Sequence, residues 1–123
     1  MITFRAPVIA GSGTAATLGI RTLNLSLDAV PTELSTGIYA CRVSYDSKND
    51  APAVMHYGPR PMHQLPPSCE VHLLNETVKS PPLEAEVIVV EKIRDISTFP
   101  SEESLKTAIQ RDINSARVIL GDA

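Results

Sequence analysis

Residues 68–75 read SCEVHLLN, and this stretch predicts a β-strand with two unlike faces. Side chains alternate sides along a strand, so Cys69 and Val71 share one face. Glu70 and His72 fall on the other face. Taken alone, the alternation favours a strand that is buried on one side and solvated on the other, because antiparallel strands commonly expose one face. The alternative is that the acid and the imidazole line a site.

Further strand-like segments dominate the first three quarters of the chain. They are residues 4–10, 37–45, 51–57 and 85–93. Stretches rich in Pro, Gly, Asp and Asn separate them and predict turns over residues 46–50, 58–61, 65–67 and 80–82. Several short strands at this spacing predict a small barrel or sandwich.

The last quarter of the chain changes to a helical period. Ser101 is suited to be an N-cap, and the acidic side chains of Glu102 and Glu103 favour the positive end of a helix dipole. Apolar residues then recur at spacings of three and four as far as Gly121, which predicts a helix over about residues 102–120. We expect this helix to pack on the outside of the barrel and to take no part in chemistry.

Composition and charge indicate one globular domain over residues 1–123 and exclude several functions. The net charge of −3 argues against a nucleic-acid-binding module, which needs a basic stripe. No apolar run is long enough to span a bilayer, so no membrane partner is expected. The N-terminus lacks the pattern of a signal peptide, and a cytoplasmic location follows by default. Nothing in the sequence predicts a protein partner.

Cysteine and histidine positions give little support for a disulfide or a metal centre. We expect Cys41 and Cys69 to be buried reduced thiols, with a disulfide between them as the alternative. The three histidines, His56, His63 and His72, lack the paired spacing of metal ligands.

The segment over residues 11–37 is too long for an idle loop in so small a domain. Its small and polar residues include Gly11, Gly13, Gly19, Arg21, Thr22 and Asn24. Glycines let backbone N–H groups converge on phosphate oxygens, and a threonine hydroxyl can ligate Mg²⁺. The alternative is a flexible turn between strands.

Five segments, taken together, resemble the riboflavin kinase family in order and spacing, over about residues 4 to 120. They are LGIRTLN (18–24), LSTGIYACRV (34–43), GPRP (58–61), CEVHLL (69–74) and FPSEESLKTAIQRDINSA (99–116). The family includes stand-alone flavokinases and the C-terminal module of bacterial FAD synthetases. The resemblance implies an all-β fold, a six-stranded antiparallel Greek-key barrel with a C-terminal α-helix. It also implies a Mg²⁺-dependent enzyme that converts riboflavin and ATP to FMN and ADP, by phosphoryl transfer to the 5′-hydroxyl.

The resemblance further implies roles for individual residues at the nucleotide end. The family's Pro-Thr-Ala-Asn signature stands here as residues 21–24, RTLN. Thr22 and Asn24 would therefore meet Mg²⁺, and Asn24 would also bind the nucleotide. The glycines of the family's phosphate-covering loop correspond to Gly11, Gly13 and Gly19.

At the acceptor end, Glu70 matches the family's catalytic glutamate, which accepts or orients the proton of the attacking hydroxyl. His72 and Arg94 are assigned by the same resemblance to flavin binding. Phosphoryl transfer requires mainly positioning and charge neutralisation, and this set of residues can supply both.

Three departures from the family pattern leave other functions open. Arg21 replaces the signature proline, Leu23 replaces its alanine, and Pro81 and Pro82 stand where the family has an aromatic residue and a glycine. A barrel that binds a flavin or a nucleotide without turnover is the second hypothesis. A kinase that uses CTP or another acceptor, and a barrel of unrelated function, are the others.

Overall fold

Six β-strands and one α-helix form the part of the chain that the structure, a computed structural model, describes, namely residues 1–9, 21–60 and 65–121. The elements in chain order are β1 (Ile2–Ile9), β2 (Thr22–Leu25), a short 3-10 turn (Leu27–Ala29), β3 (Gly37–Tyr45), β4 (Lys48–Arg60), β5 (Leu65–Leu73), β6 (Glu84–Arg94) and α1 (Glu102–Ile119).

All strand pairs are antiparallel, and the strand order β1-β2-β5-β4-β3-β6 closes where β6 pairs with β1. Strands β3, β4 and β5 follow one another as hairpins, whereas β2 crosses over to pair with β5. This connectivity is a Greek key, because β3, β4 and β5 form a meander and the long connection from β2 to β3 leaves β2 paired with β5, at the far end of that meander. The predicted six-stranded antiparallel Greek-key barrel with a C-terminal helix is confirmed.

The inward faces of the strands form one core inside the barrel. Cys69, Val71 and Leu73 of β5 are buried there together with Met55 of β4 and Leu23 of β2. The period-two alternation of β5 thus predicted its buried face correctly, since a strand that encloses a core must turn every second side chain inward.

Both cysteines are free and buried, as predicted. Burial in the apolar barrel interior raises the pKa of the Cys69 thiol to about 12, and the nearby Glu70 charge acts in the same direction. Burial also raises the pKa of Cys41. Both thiols are therefore protonated and inert at neutral pH, because the thiolate is the reactive form.

Strand boundaries differ from the sequence prediction at the turns. The predicted turn over residues 46–50 is shorter, since β3 ends at Tyr45 and β4 already begins at Lys48. Asp46 makes this possible with a φ of 48°, a left-handed conformation that tight hairpin turns require. The predicted turn over residues 65–67 instead belongs to the start of β5.

The helix packs on the outside of the barrel, as predicted. Its first turn is capped by Ser101, whose hydroxyl accepts a 3.1 Å hydrogen bond from the Ser104 N–H. Ala116 and Leu120 are buried against Ala40 on the outer barrel face. No helix within residues 1–9, 21–60 and 65–121 is long and apolar enough to cross a membrane.

Candidate active site

A cavity of about 320 Å³ lies on the outside of the barrel, between the strand faces and α1. Its barrel wall carries the polar side chains of Thr22, His56, Arg60, Glu70 and His72. Its opposite wall is apolar and includes Phe99, Leu105, Ile109 and Ile113. The helix, expected only to pack, therefore also forms part of the cavity. The outer face of β5 is thus the wall of a cavity and not simply a solvated surface.

One cross-strand row connects the polar residues of the barrel wall. Asn24, Glu70, His56, Ile38 and Arg94 lie directly opposite one another on β2, β5, β4, β3 and β6. Directly opposite residues of antiparallel strands have Cβ atoms about 5 Å apart. The barrel thus brings groups that are far apart in sequence onto one line.

Glu70 is held through one of its two carboxylate oxygens. Ser68 Oγ donates a 2.7 Å hydrogen bond to Glu70 Oε2. The Arg60 Nη1 atom lies 3.6 Å from the same oxygen, and Arg60 is itself anchored by a 2.8 Å hydrogen bond from its Nε to the Pro66 carbonyl. Neither of these two contacts uses Oε1.

His56 combines one hydrogen-bonded and one orphaned ring nitrogen. Its Nε2 donates to the Pro59 carbonyl at 3.0 Å, because a carbonyl oxygen only accepts. Its Nδ1 is buried and has no hydrogen-bond partner among the described residues. Burial lowers the pKa of His56, although the neighbouring Glu70 charge opposes this shift. The imidazole is therefore neutral at pH 7.

Thr22 and Asn24 occupy the outer face of β2, with Leu23 between them pointing into the core at 1% exposure. Thr22 Oγ1 lies 3.3 Å from His72 Nδ1, within hydrogen-bond distance. Burial lowers the pKa of His72, and the charge of Arg21 lowers it further. Arg21 thus contributes positive charge beside this end of the cavity.

Arg94 binds α1 in a bidentate ion pair. Its Nε and Nη2 donate to the two carboxylate oxygens of Asp112 at 2.9 Å each, and Asp112 is 5% exposed. Its Nη1 donates to the Asp95 carbonyl at 3.1 Å. The guanidinium carbon lies 5.3 Å from the centroid of the Phe99 ring. Arg94 therefore fixes one wall of the cavity with all three of its nitrogens already engaged.

The structure brings together most of the residues that the sequence assigned to a site. Thr22, Glu70, His72 and Arg94 line the cavity, and Asn24 is the cross-strand neighbour of Glu70. The assigned glycines 11, 13 and 19 lie outside the described residues. None of the described lining residues comes from the two-proline turn.

Sequence reasoning missed His56, Arg60, Phe99 and Asp112. The alternation of β4 turns His56 to the outer face of the strand, but only the pairing of β4 with β5 shows that it lies opposite Glu70. Asp112 gave one local signal, since it is a charged residue beside the apolar stripe of α1. Its partner, 18 positions earlier, could not be read from the helical pattern.

The donor atoms suit Mg²⁺ shared with phosphates more than a metal held by protein alone. Within residues 1–9, 21–60 and 65–121 no cluster of three or more His, Cys, Asp or Glu side chains could hold a metal ion. The hydroxyl of Thr22 and the amide oxygen of Asn24 are hard oxygen donors on one strand face. Mg²⁺ prefers such oxygens and keeps several waters or phosphate oxygens in its coordination shell.

Two comparisons of the sequence with known proteins identify the same family. The sequence model of the family described as Flavokinase: Riboflavin kinase matches residues 1–120. The chain is 32% identical over 111 residues to the bifunctional riboflavin kinase/FMN adenylyltransferase of Haemophilus influenzae, covering 89% of this chain and 36% of that protein. The protein of the same description from Pseudomonas fluorescens is 33% identical over 114 residues, covering 91% and 36%. The chain thus spans about a third of the length of these curated relatives.

Solved structures share the fold. A riboflavin kinase from Trypanosoma brucei superposes with a TM-score of 0.65 at 20% identity, covering 97% of this chain and 79% of that one. A Streptococcus pneumoniae structure described as a macrolide-efflux protein gives a TM-score of 0.73 at 22% identity, covering 94% and 38%. At these identities the likeness shows the fold alone.

Proposed function

The chain belongs to the riboflavin kinase family, because the family model matches residues 1–120, and we propose that it transfers the γ-phosphoryl group of ATP to the 5′-hydroxyl of riboflavin. The observation that carries this proposal is the placement of Glu70 in a cavity, one strand away from the oxygen donors Thr22 and Asn24. A carboxylate for the acceptor and hard oxygens for a metal-bound phosphate are the two requirements of this chemistry.

Glu70 orients the acceptor hydroxyl in this mechanism. Its Oε1 accepts the hydrogen of the hydroxyl while Ser68 and Arg60 hold Oε2. The new bond forms between the hydroxyl oxygen and the γ-phosphorus, and the bond from this phosphorus to the bridging oxygen of ADP breaks. The proton passes to Glu70. Most of the rate gain then comes from orientation, because the transition state needs little covalent help from the protein.

Thr22 and Asn24 hold Mg²⁺ and the nucleotide phosphates in this proposal. The metal, when bound, supplies neutralisation of the charge on the transferring phosphates. Arg21, whose charge already lowers the pKa of His72, adds positive charge on the same side. The backbone N–H groups of Gly11, Gly13 and Gly19 are proposed to cover the phosphates.

The flavin ring is proposed to lie against the apolar wall of the cavity. Phe99 and the side chains of α1 offer an apolar surface to an aromatic ring system. The nitrogens of Arg94 already have protein partners, so we do not expect them to donate hydrogen bonds to the flavin. Arg94 is proposed instead to contribute through the flat face of its guanidinium group, which lies against Phe99 and holds that ring in place. His72 is proposed to contact the flavin from the barrel wall.

Two of the three departures from the family pattern fall away from the cavity, which supports the kinase over a silent binding barrel. Leu23 points into the barrel core, so its added bulk does not meet a ligand. Pro81 and Pro82 are not among the lining residues. Arg21 remains a change near the site, and there it brings a cation to a place where phosphates are expected.

The experiment is a turnover assay with the purified chain, riboflavin, Mg²⁺ and either ATP or CTP, with FMN followed by chromatography. We expect FMN with ATP and a loss of about 100-fold or more in kcat for Glu70→Gln, the range of one acid–base group. Glu86→Gln is the matched control, because Glu86 lies on β6 and pairs with Arg5 outside the cavity. Absence of FMN with both nucleotides, combined with tight flavin binding, would instead indicate a silent barrel. A cytoplasmic location stays a prediction from the sequence.

A further inference from the structure

His56 carries a buried acceptor for which the described residues provide no donor. Its Nε2 donates to the Pro59 carbonyl at 3.0 Å, which leaves Nδ1 of the neutral ring as a lone-pair acceptor. This Nδ1 is buried and has no partner within the described chain. Buried polar atoms in native proteins are nearly always hydrogen-bonded, and the His56 side chain lines the cavity, so a bound ligand can supply the missing donor once the atoms that cover Nδ1 shift.

The position of His56 restricts what that group can be. His56 lines the cavity and lies directly opposite Glu70 on the neighbouring strand. Opposite side chains begin about 5 Å apart at their Cβ atoms, so a ligand atom near His56 is only a few bonds from one near Glu70. Among the described residues, the charged groups that act on His56 are Glu70 and Arg60.

A neutral imidazole at this position accepts and does not donate through Nδ1. Burial lowers the pKa of His56, and the charge of Arg60 acts in the same direction, against the opposing effect of Glu70. At neutral pH the Nδ1 atom can therefore be satisfied only by an O–H or N–H donor. A carbonyl or phosphate oxygen at this place would leave Nδ1 unsatisfied and would face a lone pair.

On the basis of the function proposed above, we propose that His56 is a specificity-determining residue whose Nδ1 accepts a hydrogen bond from a secondary hydroxyl of the ribityl chain. The terminal hydroxyl meets Glu70 and the aromatic ring meets the apolar wall, so the secondary hydroxyls are the donors that lie between them. Holding one of these hydroxyls beside Glu70 fixes which end of the polyol reaches the phosphate. His56 thereby selects a polyol chain over an alkyl chain that ends in a hydroxyl.

Two conservative variants separate the roles of the two ring nitrogens of His56. In His56→Asn the amide group occupies the position of Nδ1, so an acceptor is retained there while the contact with Pro59 is lost. In His56→Gln the amide reaches the position of Nε2, so the bond to Pro59 is retained while the Nδ1 acceptor is lost. A role limited to folding through Pro59 predicts the opposite ranking of the two variants.

The probes are riboflavin and an analogue in which a hydroxypentyl chain replaces the ribityl chain, so that only the terminal hydroxyl remains. Binding is followed by quenching of flavin fluorescence without nucleotide, and kcat/KM is measured with MgATP. We expect wild type and His56→Asn to prefer riboflavin, and His56→Gln to lose about 3- to 10-fold of this preference, the range for one neutral hydrogen bond.

The outcomes distinguish this inference from the function on which it rests. If the wild-type chain binds and phosphorylates riboflavin but His56→Gln keeps the full preference for riboflavin over the analogue, the proposed role of His56 is wrong and the proposed kinase activity is still supported. If the wild-type chain binds neither flavin, the proposed function is overturned and the inference falls with it. A loss confined to His56→Asn would also overturn the inference, because it would assign the effect to the Pro59 bond.

Discussion

Ser68 and Glu70 project from the same face of β5, two residues apart, and Ser68 Oγ donates a 2.7 Å hydrogen bond to Glu70 Oε2. Arg60 approaches the same oxygen at 3.6 Å. Side chains at this spacing are neighbours because the strand returns to the same side every second residue. The protein therefore restrains one oxygen of the proposed catalytic carboxylate, and these contacts leave Oε1 for the acceptor hydroxyl in the proposed mechanism.

Removing the Ser68 hydroxyl should loosen Glu70 without removing it. We expect Ser68→Ala to lower kcat by about 3- to 10-fold with little change in the KM for riboflavin, since one hydrogen bond to a partly exposed group is lost. Steady-state kinetics with Ser68→Thr, which keeps the hydroxyl, and with Ser80→Ala, an exposed serine in the turn after β5, provide the comparison. An unchanged kcat in Ser68→Ala would show that Glu70 is oriented without this contact.

The Thr22 hydroxyl should matter only when the nucleotide carries a metal. We expect Thr22→Ala to raise the KM for MgATP about tenfold and to leave binding of metal-free ATP unchanged, because the lost atom is a hard oxygen donor for Mg²⁺. Titration of ATP with and without Mg²⁺ separates the two effects. Thr22→Ser keeps the hydroxyl and the contact with His72, so it should behave like wild type. Equal weakening with and without metal would contradict a metal role.

The sequence predicted the buried and outer faces of β5 because the alternation of Cys69, Val71 and Leu73 is local information. The same information cannot show what covers the outer face. Asn24 and Glu70 are direct cross-strand neighbours although they are 46 positions apart in the chain, and only the register of β2 on β5 brings them together.

The strand β2 itself escaped the sequence reading, which treated residues 11–37 as one long irregular segment. It has only four residues, Thr22–Leu25, and its stability comes from pairing with β1 and β5 and not from its own propensity. The resemblance to a family assigned Thr22 and Asn24 to the site, whereas the residues alone left a flexible turn as the alternative. His56 was missed for the same reason, because its meaning depends on the neighbour across the sheet.

The Arg94–Asp112 pair should be important for the stability of the cavity wall. Asp112 has a side chain that is 7% exposed, and Arg94 is its bidentate partner. We expect Arg94→Met to lower the free energy of unfolding by about 2 to 3 kcal/mol, somewhat less than for a fully buried pair because Arg94 is partly exposed. Urea denaturation followed by circular dichroism measures the change.

Two further variants test whether the unpaired carboxylate causes that loss. Arg94→Met combined with Asp112→Leu should recover most of the stability, since the buried charge is removed as well. Arg5→Met breaks an ion pair whose arginine side chain is 61% exposed and should cost at most about 1 kcal/mol. If the double variant is no more stable than Arg94→Met alone, the loss in free energy of unfolding comes from packing and not from the unpaired carboxylate of Asp112.

His56 should make the chain less stable as the pH falls below neutral. Burial lowers the pKa of His56 in the folded state below its usual value of 6.5. Between these two pKa values the unfolded chain binds a proton that the folded chain does not, so the free energy of unfolding rises with pH. The contribution of His56 to the free energy of unfolding is fully lost only below its folded-state pKa, and above about pH 7 this contribution no longer changes with pH.

His56→Gln cannot titrate, so the variant should lose less stability than wild type between pH 7.5 and pH 5.5. Urea denaturation of both proteins at the two pH values measures the difference, and titration of the carboxylates cancels because the two proteins share them. The same variant keeps the donor toward Pro59, so its stability at pH 7.5 should stay close to that of wild type. Equal losses in the two proteins would mean that His56 takes up its proton in the folded state as readily as in the unfolded one, and that the acceptor at Nδ1 is not protected at mildly acidic pH.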